Sequence, residues 1–425
     1  MNIGKPLLWM PTLYFVEGLP HVVLVTLTVV MYLQLGMSDT EIAFYTAWLG
    51  IPWVLRPFYR YVIERYQAKR QWILALQVLL GMALAGVAFT LNSNFLVQGT
   101  IFFFLLIAFL SAMHNIAVDS YCRLGLADEE HSWHTGVRNI FYQISVVLGK
   151  GILVPVAGIL QVLFRNQKAY TWSLIFGGLA CIFIVFSLYH GLVLPRQSIQ
   201  RELRVEGEKH GIYEAYIAFR RSYSVKELGI ILLFLFCYCL PEGMLFKMAD
   251  TFLLRPGSAG GIGLSPQEYG LVSGTVGVIG LVVGSILGRI LIRRDGLRHW
   301  RWQAASAITL PKIVYVYLSY ALPQNIWLVS TLIFIEQVGF GFGYVAFITY
   351  IYYLCGKTHN ESCRDICTSI SYLGLMCFGM VSGYVRDMLG FRQFFIIIIL
   401  LCVVTFWAVS LIKIDVDWGK RPHND

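Results

Sequence analysis

The sequence predicts an all-α membrane protein, about twelve transmembrane helices in two six-helix bundles, and three observations carry that prediction. Of its 425 residues, 57% are hydrophobic and only 13% charged, against about a quarter charged in a soluble domain; mean hydropathy is +0.66. Hydrophobic runs of roughly 20 residues, the length a helix needs to cross about 30 Å of hydrocarbon, follow one another with short polar joints. They lack the alternation of barrel strands. Finally, Tyr14-Phe15-Val16-Glu17-Gly18 recurs half a chain later as Tyr238-Cys239-Leu240-Pro241-Glu242-Gly243, the mark of a duplicated protein.

The first run, 8–34, is longer than the apolar core of a leader peptide, contains Glu17 and has no convincing cleavage site, so it reads as a span. Runs at 41–63, 72–91, 96–119, 136–163 and 170–194 complete the first six. The second six lie at 228–254, 268–292, 302–321, 326–354, 366–385 and 391–413. Pro20 and Pro241 stand close to the two paired glutamates, where a proline frees backbone carbonyls and permits a bend or break. Residues 195–227 form the longest polar stretch. It divides the chain into an amino-terminal bundle (1–194), a cytoplasmic linker (195–227) and a carboxy-terminal bundle (228–425). Within the linker, Gly211 to Tyr223 has the composition of an amphipathic surface helix.

The net charge of +9 is not a nucleic-acid signal, because the basic residues concentrate in loops on one side. With the amino terminus inside, Arg65, Lys69, Arg70, Arg123, Arg293, Arg294, Arg298, Arg301, Lys357, Arg364 and the linker share one face. The positive-inside rule then places both termini in the cytoplasm. The nine cysteines fall mostly in or at the ends of spans without CxxC spacing, so they read as packing residues; neither a metal site nor a cofactor is expected. Glycines at 270, 274, 277, 280, 284 and 288, and at 339, 341 and 343, read as close or sliding helix contacts and a flexible part of the tenth span.

On these residues the chain resembles the major facilitator superfamily. The joint Glu64-Arg65-Tyr66-Gln67-Ala68-Lys69-Arg70 is a degenerate form of that family's charged motif after span two, with Arg293-Arg294-Asp295-Gly296 as its counterpart. Glu17-Gly18-Leu19-Pro20, Arg56-Pro57, Ser111-Ala112-Met113-His114-Asn115, Thr251 to Arg255 and Phe334-Ile335-Glu336-Gln337 are similar to muropeptide permeases of the AmpG type and, behind them, to acetyl-CoA transporters. The resemblance implies a monomeric transporter of the inner (plasma) membrane, working by alternating access, whose spans one, four, seven and ten line a central cavity.

Those spans carry most of the intramembrane polar residues, and an ionisable group within a span is expensive unless paired or functional. Glu17, Asp119, Glu242 and Glu336 are the candidates for proton coupling, since a carboxyl group placed there can take a proton from one side and release it to the other. Candidate substrate contacts are Tyr14, Trp53, His114, Asn115, Arg138, Tyr142, Lys150, Tyr238, Lys247 and Asp250. The cations among them suit an anionic group or an internal salt bridge, and the rings suit a sugar. Arg56, Glu64, Arg65 and Arg70 are gating candidates that lock helices in one state and release them in another. Lys312, in the middle of the ninth run, has no role on this reading. The expected function is proton-coupled import of a small polar solute, a muropeptide or anhydro-sugar, with another oligosaccharide or an acyl-CoA as alternatives; the partners are that solute, protons and the bilayer. No nucleotide loop is present. A membrane acyltransferase using His114 as general base is the competing class.

Overall fold

The computed structural model describes residues 6–65, 68–125, 131–195, 217, 220–356, 361–415 and 418, and these form helices and connecting turns with no strand among them. In chain order the helices are α1 (Leu8–Gln34), α2 (Asp39–Trp48) and α3 (Arg56–Arg65), α4 (Lys69–Thr90), α5 (Leu96–Cys122), α6 (Gly136–Leu163), α7 (Lys168–Val193), α8 (Val225–Leu254) and α9 (Pro266–Asp295). They continue with α10 (Leu297–Thr309) and α11 (Ile313–Ala321), then α12 (Ile326–Gly356) and α13 (Ser362–Leu411). Among the described residues nine of these are long and apolar enough to cross a bilayer. The 50-residue α13 turns at Gly390, whose φ of 76° is open to glycine and costly for other residues. That turn falls between the two last expected spans. Of the linker helix expected at 211–223, residues 211–216, 218 and 219 lie outside the described residues.

Prolines and glycines explain where the helices depart from straight spans. The second expected span is broken: α2 ends at Trp48, a single turn covers Ile51–Val54, and α3 begins at Arg56, with Gly50, Pro52 and Pro57 at the breaks. After Pro20, α1 widens into a π turn at Val23–Leu27. In α8 the regular helix lapses at Tyr238 and Cys239, ahead of Pro241. The ninth expected span is interrupted by a 3-10 turn, Leu310–Lys312, containing Pro311.

The chain packs as two compact units, Met1–Gly36 with Leu55–Ile212, and Met37–Val54 with Tyr213–Asp425. In the first, α1 lies on α5 and α6, α4 on α5 and α7, and α3 on α5. In the second, α8 lies on α13, α10 on α12 and α13, and α9 on α12, while α2 also packs on α13. The pairings of the first unit thus recur in the second: α1 on α6 corresponds to α8 on α13, and α4 on α5 to α10 on α12.

The glycines of α9 serve backbone contact with α12. A Cβ at Gly284 would lie 2.0 Å from the Val338 carbonyl oxygen, and one at Gly341 2.3 Å from that of Leu281. Since α12 is helical throughout, Gly341 serves this approach, and Gly339 and Gly343 a similar one to Ala307 and Ala304 of α10, rather than a break in the helix. Gly284→Leu is therefore expected to lower the melting temperature of detergent-purified protein, the overpacking costing about 1–3 kcal/mol or more. Gly177→Leu, on α7 where a Cβ meets nothing within 4 Å, is the control and leaves the melting curve in place.

Candidate functional site

Each unit buries one ionic cluster around its copy of the repeated glutamate. In the first unit α1 carries Glu17, whose side chain is 2% exposed. Its Oε1 accepts hydrogen bonds from Arg138 Nη2 on α6 (3.0 Å) and from Asn115 Nδ2 on α5. The other arm of the same guanidinium, Nη1, donates to Asp119 Oδ1 at 2.6 Å, and Asp119 Oδ2 accepts from Arg56 Nη2 on α3 at 3.3 Å. Two carboxylates and two guanidiniums therefore alternate across four helices with no net charge. The Tyr14 ring lies against Arg138, its centroid 5.7 Å from the guanidinium carbon, a cation–π contact. Arg138 keeps 32% of its side chain exposed while joining Glu17 to Asp119. Glu17 Oε2 and Asn115 Oδ1 are both buried without a hydrogen-bond donor among the described residues.

In the second unit the cluster consists of Glu242 on α8, Glu336 on α12 and Lys312. The Lys312 ammonium donates to Glu242 Oε2 and lies 3.9 Å from Glu336 Oε1. Gln337 Nε2 donates to Glu336 Oε2 at 2.8 Å. The side chains of Lys312 and Glu336 are each 2% exposed and that of Glu242 11%. The 3-10 turn at Pro311 brings Lys312 to the two acids, which gives this residue the role the sequence left open. Two carboxylates meet one cation here, so the trio is one charge out of balance when both acids are ionised. Burial of unbalanced charge costs several kcal/mol.

Other candidates go elsewhere. His114 is buried and joins a separate polar chain: its Nε2 is 3.1 Å from Gln77 Nε2, Gln77 Oε1 is 3.0 Å from His190 Nδ1, and His190 Nε2 is 3.1 Å from Thr12 Oγ1. That chain ties α5, α4, α7 and α1. Tyr238 is buried, donates to the Gly343 carbonyl at 3.2 Å and stacks on Phe347 with centroids 4.9 Å apart. Trp53 stacks on Tyr372 at 6.2 Å. Tyr142 lies beside His21, 6.1 Å between ring centroids. Lys150 is half-buried on the π turn Val147–Leu153. Lys247 is half-buried, one turn before the buried Asp250 on α8.

Of the gating candidates, Arg56 belongs to the Glu17 cluster. Arg70 binds the exposed carbonyls at the end of α7, with Nε on Leu194 O at 3.1 Å and Nη2 on Gly191 O, a favourable place for a cation. The side chains of Glu64 and Arg65 lie outside the described residues. The sequence reading missed a third ionic group, in the second unit. Asp39, fully buried at the start of α2, accepts from Arg255 (2.6 Å) and pairs with Arg386 (2.8 Å). Asp387 accepts from Thr40 Oγ1 at 2.6 Å. Asp39 lies at the edge of a run rather than inside one, which is why run-based reasoning passed over it.

The family model described as Major Facilitator Superfamily matches residues 12–362. The chain is 23% identical over 389 residues to the anhydromuropeptide permease of Escherichia coli, covering 90% of this chain and 74% of that one. In fold it is similar to the nucleoside transporter NupG (TM-score 0.73, 14% identity, 98% of this chain and 100% of the other). It is also similar to a D-xylose-proton symporter (TM-score 0.72, 11% identity, 98% and 100%). The family match spans most of the chain, the all-helical repeat is of the kind this family shares, and the chain belongs to the major facilitator superfamily: it is a membrane transporter of a small-molecule solute, not an enzyme.

Proposed function

We propose that this transporter imports a peptidoglycan-derived muropeptide or anhydro-sugar together with protons, from an inner (plasma) membrane and as a monomer with both termini in the cytoplasm. The observation that supports proton coupling best is the pair of donor-less acceptors at Glu17 and Asn115. Their groups are already joined by the Asn115 Nδ2 to Glu17 Oε1 hydrogen bond, and each has one buried oxygen left over. A buried acceptor without a donor costs about 1–3 kcal/mol. A proton on Glu17 Oε2 supplies the one donor that the two oxygens lack, closing an acid–amide ring. The same proton removes the charge that holds Arg138 Nη2 and leaves that arm for an anionic group on the solute. Proton and anionic solute then favour each other's binding.

The same residues, together with the relative in Escherichia coli, support the solute class. A partly exposed guanidinium suits the carboxylates of a peptide-bearing sugar, and the half-buried Tyr142 ring suits the sugar face, while the predicted contact Tyr14 is fully buried behind Arg138 and acts through it. The Escherichia coli relative is an anhydromuropeptide permease, and a D-xylose-proton symporter shares the fold.

The test is uptake of labelled anhydromuropeptide by proteoliposomes under an imposed proton gradient, with acetyl-CoA and a neutral oligosaccharide as competitors. Accumulation that collapses with a protonophore is expected, and neither competitor should reduce it, whereas unlabelled anhydromuropeptide should. Glu17→Gln, a fixed mimic of the protonated acid, is expected to cut gradient-driven accumulation by at least tenfold while solute counterflow persists. Driven accumulation at the unmutated level would remove Glu17 from the proton path.

A further inference from the structure

We propose that Cys355, Cys363 and Cys367 form a trigonal thiolate site for a soft monovalent metal ion, Cu(I). Cys355 lies in the last turn of α12, and Cys363 and Cys367 are four residues apart on the first turns of α13. That spacing puts the latter two on one face of the helix. All three sulfur atoms lie within 4.8 Å of one another, and Cys355 and Cys363 Sγ are 2.8 Å apart. The residues are 7%, 0% and 0% exposed. Two helix ends thus converge on a buried, sulfur-lined point.

Ligand chemistry selects the ion. A metal–sulfur bond of about 2.3 Å in a trigonal plane separates the sulfurs by about 4 Å, within the 4.8 Å limit on their spacing but about 1 Å wider than the Cys355–Cys363 contact, which opens as the ion enters. No histidine, aspartate or glutamate joins the three sulfurs among the described residues, which disfavours Mg²⁺ and Ca²⁺ with their oxygen ligands. A structural Zn²⁺ takes four protein ligands, one more than the described residues supply. Soft thiolates select Cu(I), and three of them complete a trigonal shell. Each thiol gives up its proton to solvent as it binds. The resulting excess of negative charge sits on helix turns that also carry Arg364, whose guanidinium lies 5.1 Å from the Tyr352 ring centroid. On the charge asymmetry of the loops this corner is cytoplasmic, where thiols stay reduced and open to a metal. A bound ion would pin the end of α12 to the start of α13.

The test uses the full-length protein in nanodiscs, titrated anaerobically with Cu(I) against a Cu(I) chelator. One ion per chain is expected, with an X-ray absorption spectrum fitted by three sulfur neighbours at about 2.3 Å. Cys355→Ser and Cys367→Ser should each weaken binding at least tenfold, while Cys181→Ser and Cys377→Ser leave it unchanged. The spectrum of the unsubstituted protein stands even where a variant folds poorly. No retained copper, a shell of nitrogen or oxygen neighbours, or binding that survives replacement of all three cysteines would each overturn the site. So would a preference for Zn(II) over Cu(I) in direct competition.

Discussion

Replacing Lys312 by methionine is expected to be the most damaging single change in the second unit. The ammonium is the charge partner of Glu242 and faces Glu336 at 3.9 Å. Without it Glu242 loses the donor to its Oε2 and the neighbouring Glu336 carboxylate, which Gln337 still bonds, loses the ammonium beside it. Breaking a buried ion pair by removing one partner costs about 3–5 kcal/mol, more than losing the pair altogether. Lys312→Met should therefore lower the melting temperature sharply and abolish transport. The double variant Lys312→Met/Glu242→Gln should recover part of the stability, because it removes one of the two carboxylates that lose the ammonium and restores the charge of the trio to its original value. Equal melting temperatures for the single and double variants would show that the ammonium acts through packing rather than charge. A thermal-shift comparison of the three proteins in one detergent decides between these outcomes.

Lys312 also marks the limit of what the chain revealed before its structure was known. Hydrophobic run length exposed the helical architecture, because roughly 20 apolar residues have few other uses. The Glu17 and Glu242 copies stood out because acids are rare in such runs. Partnerships were harder to see, since run analysis ranks residues along one helix and a salt bridge forms between helices distant in sequence. Lys312 was visible as an anomaly, but its partner Glu242 is 70 positions earlier and the Pro311 turn that brings it there needs coordinates. Arg56 read as a gating residue grouped with Glu64, Arg65 and Arg70, yet it reaches Asp119 on α5. The cysteine trio was hidden for the same reason: three residues that looked like separate packing positions meet only when two helix ends fold together. Gln77 drew no notice because a neutral amide in an apolar run carries no charge signal, although it is the centre of the His114 and His190 chain.

Arg138 is where the second large effect is expected, and its geometry explains why lysine should fail as a substitute. One guanidinium uses Nη2 for Glu17 and Nη1 for Asp119, at 3.0 and 2.6 Å. A lysine ammonium is a point charge on a flexible stem and lacks the planar fork that serves two carboxylates at fixed positions. Arg138→Lys should thus keep the cluster's net charge and still lose the bridge. Its cost in stability is expected to be about 1–2 kcal/mol, below that of a fully buried pair because the guanidinium is a third exposed. Transport should suffer far more: if Arg138 passes one arm from Glu17 to the solute, Arg138→Lys raises the half-saturating solute concentration at least tenfold. In Glu17→Gln that same arm has no carboxylate to leave, so adding Arg138→Lys to it should still weaken solute binding. The pH dependence of binding should be lost in Glu17→Gln whether residue 138 is arginine or lysine. A solute affinity that is unchanged in Arg138→Lys across pH 5 to 8 would instead confine Arg138 to holding α1, α5 and α6 together.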